Sequence, residues 1–145
     1  MESGSPLSRV ILRRVTGEHI EIVRAVIDCW LRGDPAALEL IAEDVVYVAP
    51  PTMPGGKTYR GHEGVLQWVV DWRREWTDYE LEVERFEDLG DQVMTIERNR
   101  ATGKRSGAKV DMQSYSIWTL RDGKVIRWQG YASKEQALAA AGVSE

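Results

Sequence analysis

Arg98 and Arg100 share the parity of Met94 and Ile96 in a stretch that reads as a β-strand. An arginine keeps its proton, so it is a poor base. Its planar fork of donors instead suits a carboxylate, an enolate or a polarised carbonyl. Two placements fit. If Met94 and Ile96 face the interior, Arg98 enters it and needs an anionic partner, either Asp28 or a ligand carboxylate. Otherwise Glu97-Arg98-Asn99-Arg100 leaves the core and is solvated. Tyr47, near the end of an earlier strand, is the expected neighbour of Arg98. It reads either as a proton donor or as a core or rim tyrosine. Arg98 and Tyr47 are therefore the candidate catalytic residues.

Other reactive side chains are few. Cys29 is the single cysteine, which excludes an internal disulfide. A nucleophilic thiol needs a nearby base, and with only His19 and His62 available no thiol–imidazole pair is evident. The same scarcity leaves no metal-ligand spacing, so neither a metal nor another cofactor is expected. His62 reads as part of a helix start.

The 145 residues fit one domain, and 43% hydrophobic with 29% charged residues is the balance of an ordinary globule. The formal net charge is −4 with both signs interspersed, which argues against nucleic acid as a partner. Apolar runs are too short to span a membrane, and Val10 to Leu12 is too short for a signal peptide. A cytoplasmic location is expected. Residues 1–15 read as a partly flexible extension, frayed at Met1 to Pro6, with a single domain over 16–145.

Elements must position the candidate residues. Thr16 is read as the cap of a first helix, whose apolar stripe is Ile20, Val23, Ile27 and Trp30. Gly33 ends it, and Asp34-Pro35 starts a short second helix to Ile41. Val45 to Val48 reads as a strand stopped by Pro50-Pro51. The segment from Thr52 to Gly61, with Met53-Pro54-Gly55-Gly56 at its centre, reads as a loop. A third helix is expected from His62 to Trp76, with Trp68, Trp72 and Trp76 on one face.

The period then changes to two. Tyr79, Leu81 and Val83 alternate with Glu80, Glu82 and Glu84, giving a strand with one dry and one wet face. Further strands are expected over Val93–Ala101, Val110–Leu120 and Val125–Tyr131, the last two joined by the Asp122-Gly123 hairpin turn. Ser133 and Gln136 announce a closing helix, Lys134 to Ala141, ended by Gly142. The fold class is α+β: a curved antiparallel sheet wrapped around helices, making a cone with an internal hollow.

On the third and fourth sheet strands, apolar weight favours the even positions as concave. Met112, Ser114, Ser116 and Trp118 then line the hollow with Ile126, Trp128 and Gly130. Small residues between large ones leave room for an apolar ligand, unless Trp30, Trp68 and Trp72 fill the space as packed core. The odd positions Tyr115, Ile117, Gln129 and Tyr131 fall on the outer face. Large apolar groups there point to a homodimer.

Five segments carry a resemblance: Trp30-Leu31-Arg32-Gly33-Asp34, Tyr59-Arg60-Gly61-His62-Glu63-Gly64, Asp88-Leu89-Gly90-Asp91-Gln92-Val93, Ile117 to Val125 and Glu135 to Gly142. In this order the chain resembles the SnoaL-like branch of the nuclear transport factor 2-like superfamily over residues 18 to 142. The resemblance implies a cone-shaped, cystatin-like α+β barrel, often dimeric through its outer sheet face. Relatives include ketosteroid isomerases, limonene epoxide hydrolases and polyketide cyclases. The isomerase's base, tyrosine and protonated carboxyl would fall on Ala49, Val26 and Ser116, so all three groups are missing. For the epoxide hydrolase, Arg98 and Tyr47 match. Ala49, Arg100 and Gly130 stand where an asparagine and two acids are required. The cyclase branch uses an acid helped by histidine in its sheet, and the strands hold no histidine. The expectation is an internal pocket for a small hydrophobic or aromatic molecule, polyketide-, steroid- or terpenoid-like, with an isomerase-, cyclase- or hydrolase-type step. The alternative is a non-catalytic binding or accessory module of the same fold.

Overall fold

The computed structural model describes residues 6–49 and 57–142, with side chains from residue 17 onward. The expected strand stop at Pro50-Pro51, the Met53-Pro54-Gly55-Gly56 loop centre and the fraying of the first five residues lie outside the described residues. Helix α1 spans Pro6–Leu31. Thr16 therefore lies within the helix and does not cap it. The stripe on its second half meets the core through Val23, Val26 and Ile27. Gly33 follows at φ 70°, and a short 3-10 helix, Pro35–Leu40, begins where Asp34 accepts from the Ala36 amide at 2.9 Å. Asp34 thus satisfies a backbone donor that the helix start would leave unpaired.

Strand β1 (Ile41–Val48) starts directly from that turn. A short strand β2 (Thr58–Arg60) pairs antiparallel with it, where the sequence reads as loop. Helix α2 (Gly61–Glu75) follows at once. Gly64 explains how the two fit so closely: a Cβ there would lie 3.0 Å from the carbonyl carbon of Tyr59. The long strands β3 (Trp76–Asp88), β4 (Gln92–Gly103), β5 (Lys109–Arg121) and β6 (Lys124–Tyr131) then form an antiparallel meander. Asp122 at φ 53° and Gly123 at φ 77° form the β5–β6 turn, as hairpin geometry requires.

The sheet order is β2-β1-β6-β5-β4-β3. β1 runs parallel to β6, so the first strand returns to the far side of the meander. The result is a curved, unclosed six-stranded sheet. Its concave face holds α1 and α2, packed through Val26, Ile27, Val65 and Trp68 on Trp118, Leu120, Val125 and Trp128. Ile126 is skipped in the pairing, because Thr119 opposes Arg127 while Leu120 opposes Val125. That bulge brings Val125 rather than Ile126 into the core.

Helix α3 (Lys134–Ala141) starts from Ser133, which accepts from the Gln136 amide at 3.2 Å. It covers the convex face. Ala137 and Leu138 pack there on Met94 and Ile117, joined by Ile96, Tyr115 and Tyr131. This overturns the inward placement of Met94 and Ile96 and removes the apolar ground for a homodimer. The apolar outer residues Tyr115, Ile117 and Tyr131 have a partner within their own chain. Met94 and Ile96 are apolar because they meet α3, not because they face the cone.

Candidate functional site

With Met94 and Ile96 on the convex face, β4 turns Val93, Thr95, Glu97, Asn99 and Ala101 inward, all of them buried. Arg98 therefore points out of the cone. Its Nη1 donates to Asp111 Oδ1 at 2.9 Å and its Nε lies 3.7 Å from Glu84. Arg100 joins the same outer ladder, 3.5 Å from Asp111 and 3.8 Å from Glu82. Neither arginine reaches the interior, and the match of Arg98 to an epoxide-hydrolase arginine loses its geometric basis.

Inside, a cavity of about 300 Å³ lies between the helices and the sheet. Its walls are aromatic: Trp30 from α1, Trp68 and Trp72 from α2, Tyr47 from β1, Tyr79 from β3, and Trp118 and Trp128 from the meander. The rings interlock, with Trp30–Trp68 centroids 4.2 Å apart at 74°, Tyr47–Trp128 at 4.4 Å and Trp118–Trp128 stacked at 5.0 Å. Such pairs contribute about 0.5–1.5 kcal/mol each beyond area burial, enough to hold the walls in place. The tryptophans frame the space rather than fill it. A second hollow of about 400 Å³ adjoins the first, sharing Trp30, Trp68, Trp72 and Tyr79 and extending to Trp76 and Lys104.

Of the expected lining residues, Trp30, Tyr47, Trp68, Trp72, Ser114, Ser116, Trp118 and Trp128 take their places. Arg98, Met112 and Gly130 do not belong to the lining. Gly130 is buried in the sheet opposite Ser116, and Met112 is half-buried opposite Asn99.

The residue missed by the sequence reading is Glu97. Its carboxyl receives three hydroxyl donors: Thr95 to Oε2 at 2.7 Å, Ser114 to Oε1 at 2.9 Å and Ser116 to Oε1 at 3.2 Å. Trp118 Nε1 in turn donates to Thr95 Oγ1 at 2.9 Å. Asn99 Nδ2 donates to Ser114 at 2.8 Å, and Tyr79 donates to Asn99 Oδ1 at 2.8 Å. The concave polar residues of β4 and β5 thus form one connected network with a carboxylate at its centre. Among the described residues no Lys, Arg or His bonds or pairs with Glu97.

Burial pushes the Glu97 carboxyl above its ordinary value of 4.5, although the three hydroxyls pull the other way. Hydrogen bonds to a charged group are worth about 1.5–3 kcal/mol each. Removing a carboxylate from water costs several kcal/mol, and here that cost wins. Burial, reinforced by the Glu97 charge, raises Tyr47 and Tyr79 well above the usual phenol range. Both phenols stay protonated; Tyr79 donates its O–H to Asn99, which leaves Tyr47 as the neutral O–H donor in the cavity beside Glu97.

The mouth carries a second polar group. Asp71 accepts from Tyr59 at 2.9 Å and from Gln67 at 2.8 Å, with Lys57 Nζ at 3.4 Å. Burial and the Asp71 bond raise the Tyr59 phenol to about 12. The histidines stay out of the cavity: His62 Nε2 lies 2.7 Å from the Ile41 carbonyl at the start of α2, and His19 Nδ1 lies 2.9 Å from that of Gly90. Cys29 is half-buried with Arg32 3.6 Å from its sulfur. Among the described residues no three His, Cys, Asp or Glu side chains converge on a metal position. No helix among them is long and apolar enough to cross a membrane.

The positions inherited from the isomerase template can now be placed. Val26 is buried core, and Ala49 lines the cavity without a functional group. Ser116 is inside and donates to Glu97. An acid is thus present in the sheet, one strand away from the template position.

Solved structures share this architecture. An NTF2-like protein of unknown function from Burkholderia pseudomallei superposes with a TM-score of 0.72 at 19% identity, covering 84% of this chain and 95% of its own. TerC, co-crystallised with polyporic acid, gives 0.71 at 24% identity, covering 82% and 94%. A Catenulispora acidiphila protein with a ketosteroid isomerase-like fold, in complex with trimethylamine, gives 0.67 at 22% identity, covering 86% and 94%. These likenesses establish the fold. No curated protein matches the sequence. The sequence profile of the SnoaL-like domain matches residues 23–128. That span runs from the inward face of α1 to the tryptophan of β6 that walls the cavity, and the chain belongs to the SnoaL-like domain family.

Proposed function

We propose that the protein binds a small hydrophobic or aromatic molecule in the aromatic cavity and that Glu97 moves a proton on it, in an isomerase- or cyclase-type step. One observation carries this reading: a buried carboxylate with a raised pKa lies on the wall of an aromatic cavity and has no cationic partner among the described residues. A carboxyl whose pKa is raised by burial is a stronger base when ionised and can both accept and return a proton. The carboxylate takes a proton from an acidic C–H or O–H of the ligand, and the electron pair stays on the ligand. The Tyr47 hydroxyl stabilises the charge that develops on a ligand oxygen, and the proton returns at a second atom. Relatives of this fold are crystallised with polyporic acid and with trimethylamine, which supports a small-ligand role in general and fixes no substrate here.

Native mass spectrometry on protein purified from its host tests the binding. Wild type should carry a small molecule, and Ala49→Phe, which projects a ring into the cavity, should lose it. Proton transfer is tested on that molecule in D2O. Wild type should introduce deuterium at carbon and Glu97→Gln should not. Binding without exchange in wild type supports the second reading, a ligand-binding module in which the hydroxyl network only stabilises Glu97. The three hydroxyl donors on Glu97 favour that alternative. A cytoplasmic location is part of the proposal. A homodimer through the outer sheet face is also part of the proposal, although α3 covers Met94 and Ile117 there. A monomer mass by light scattering contradicts it.

A further inference from the structure

We propose that the ligand of the aromatic cavity is an organic cation, a small molecule whose polar end is an ammonium or other positively charged nitrogen. The inference rests on the reading that the cavity takes a ligand with its polar end at Glu97.

Charge is the first ground. Among the described residues, every hydrogen bond that reaches the Glu97 carboxyl comes from a neutral hydroxyl. The interior lining around the same cavity is neutral: Tyr47 from β1, Tyr79 from β3, Ser114 and Ser116 from β5, Trp30 from α1, and Trp68 and Trp72 from α2. The charged lining residues other than Glu97 lie at the mouth. Lys57 pairs there with Asp71, and Arg74 is followed by Glu75. Those four charges cancel, two against two, so among the described residues the lining is left with the single negative charge of Glu97.

The walls are the second ground. Aromatic faces attract a cation within about 6 Å of the ring centre and repel an anion. A neutral apolar ligand would gain area burial but leave the carboxylate as it stands. An anion would meet both the π faces and Glu97 unfavourably. A cation is the ligand class that both features favour, and it converts an unpaired buried charge into a paired one.

Proton linkage follows. The cation selects ionised Glu97, so its affinity rises with pH through the titration of that group. Tyr47 and Tyr79 stay protonated across this range because burial raises both, and the hydrogen bonds from Gln67 and Tyr59 hold Asp71 below its ordinary value.

The test compares benzyltrimethylammonium with neopentylbenzene, its uncharged carbon isostere, by quenching of tryptophan fluorescence. At pH 8 the cation should bind wild type about tenfold more tightly than the isostere, the scale of a desolvated cation–π contact plus its counter-charge. At pH 5 that advantage should shrink, and in Glu97→Gln it should vanish. The pH comparison uses unaltered protein, so it stands even where the variant fails to fold. If the isostere binds wild type as tightly as the cation at pH 8, the cation inference is overturned while the ligand cavity stands. If neither probe binds, both are overturned.

Discussion

Ser114 Oγ and Glu97 Oε1 lie 2.9 Å apart on residues that face each other directly across β4 and β5. A strand pairing, not a loop, therefore fixes the central hydrogen bond of the cavity. Side chains on rigid strands hold their geometry without ligand, which is the condition for a prearranged polar site.

The raised carboxyl makes stability pH-dependent. Glu97 is neutralised more readily folded than unfolded, so the native state holds the extra proton between the ordinary value of 4.5 and its raised native value. Stability falls as pH rises across that window, because the unfolded chain binds fewer protons there. Glu97→Gln removes this loss. In urea titrations the variant should equal wild type near pH 4 and match or exceed it at pH 8. A variant less stable at pH 8 than at pH 4, relative to wild type, contradicts the burial of an ionised carboxylate.

Ser114→Ala and Ser116→Ala each remove a donor from Oε1. Each should lower stability at pH 8 by about 1.5–3 kcal/mol, the worth of a hydrogen bond to a charged group. Each should also raise the Glu97 carboxyl further. The stability cost should shrink at pH 4, where the carboxyl is protonated in both proteins. A cost independent of pH would show that the serines act by packing alone.

Arg98 gives the converse test. Its contacts to Asp111 and Glu84 are on the outer face, where ion pairs contribute little. Arg98→Met should leave ligand affinity unchanged and shift the urea midpoint only slightly. Lost affinity with intact folding would return this arginine to the cavity.

Gly64 sits where a Cβ would press on Tyr59 backbone at 3.0 Å. Alanine gains about 1 kcal/mol of helix propensity over glycine. Overpacking against backbone costs about 1–3 kcal/mol, and the nearest atoms here cannot swing away. Gly64→Ala should therefore lower the thermal midpoint. A raised midpoint would mean that β2 and α2 separate easily.

Much of the fold was legible in local signals. Asp34 capping, the Asp122-Gly123 turn and the Ser133–Gly142 helix follow from side-chain chemistry within a few residues. The Tyr79 to Glu84 alternation also holds: the glutamates are exposed and the residues between them are half-buried. The site was harder to read because β4 is flanked on both faces. Met94 and Ile96 are apolar for α3, and Thr95, Glu97 and Asn99 are polar for one another. Period-two reasoning then selects the wrong face. The pairing that reveals Glu97 spans 17 and 19 residues, to Ser114 and Ser116, and propensity carries no register over that distance. A stripe of Thr95, Glu97 and Asn99 opposite Ser114 and Ser116 was the available clue. The bulge at Ile126 likewise hid Val125 from parity counting.

The central claim is that Glu97 is a buried, proton-holding carboxyl in the aromatic cavity. It is tested most directly by following the Glu97 side-chain carboxyl carbon by NMR as pH is changed, with Glu97→Gln assigning the signal. The account predicts a midpoint clearly above 4.5. A midpoint at or below that value would place the carboxyl in water or beside a cation, and would contradict both the site and the function built on it.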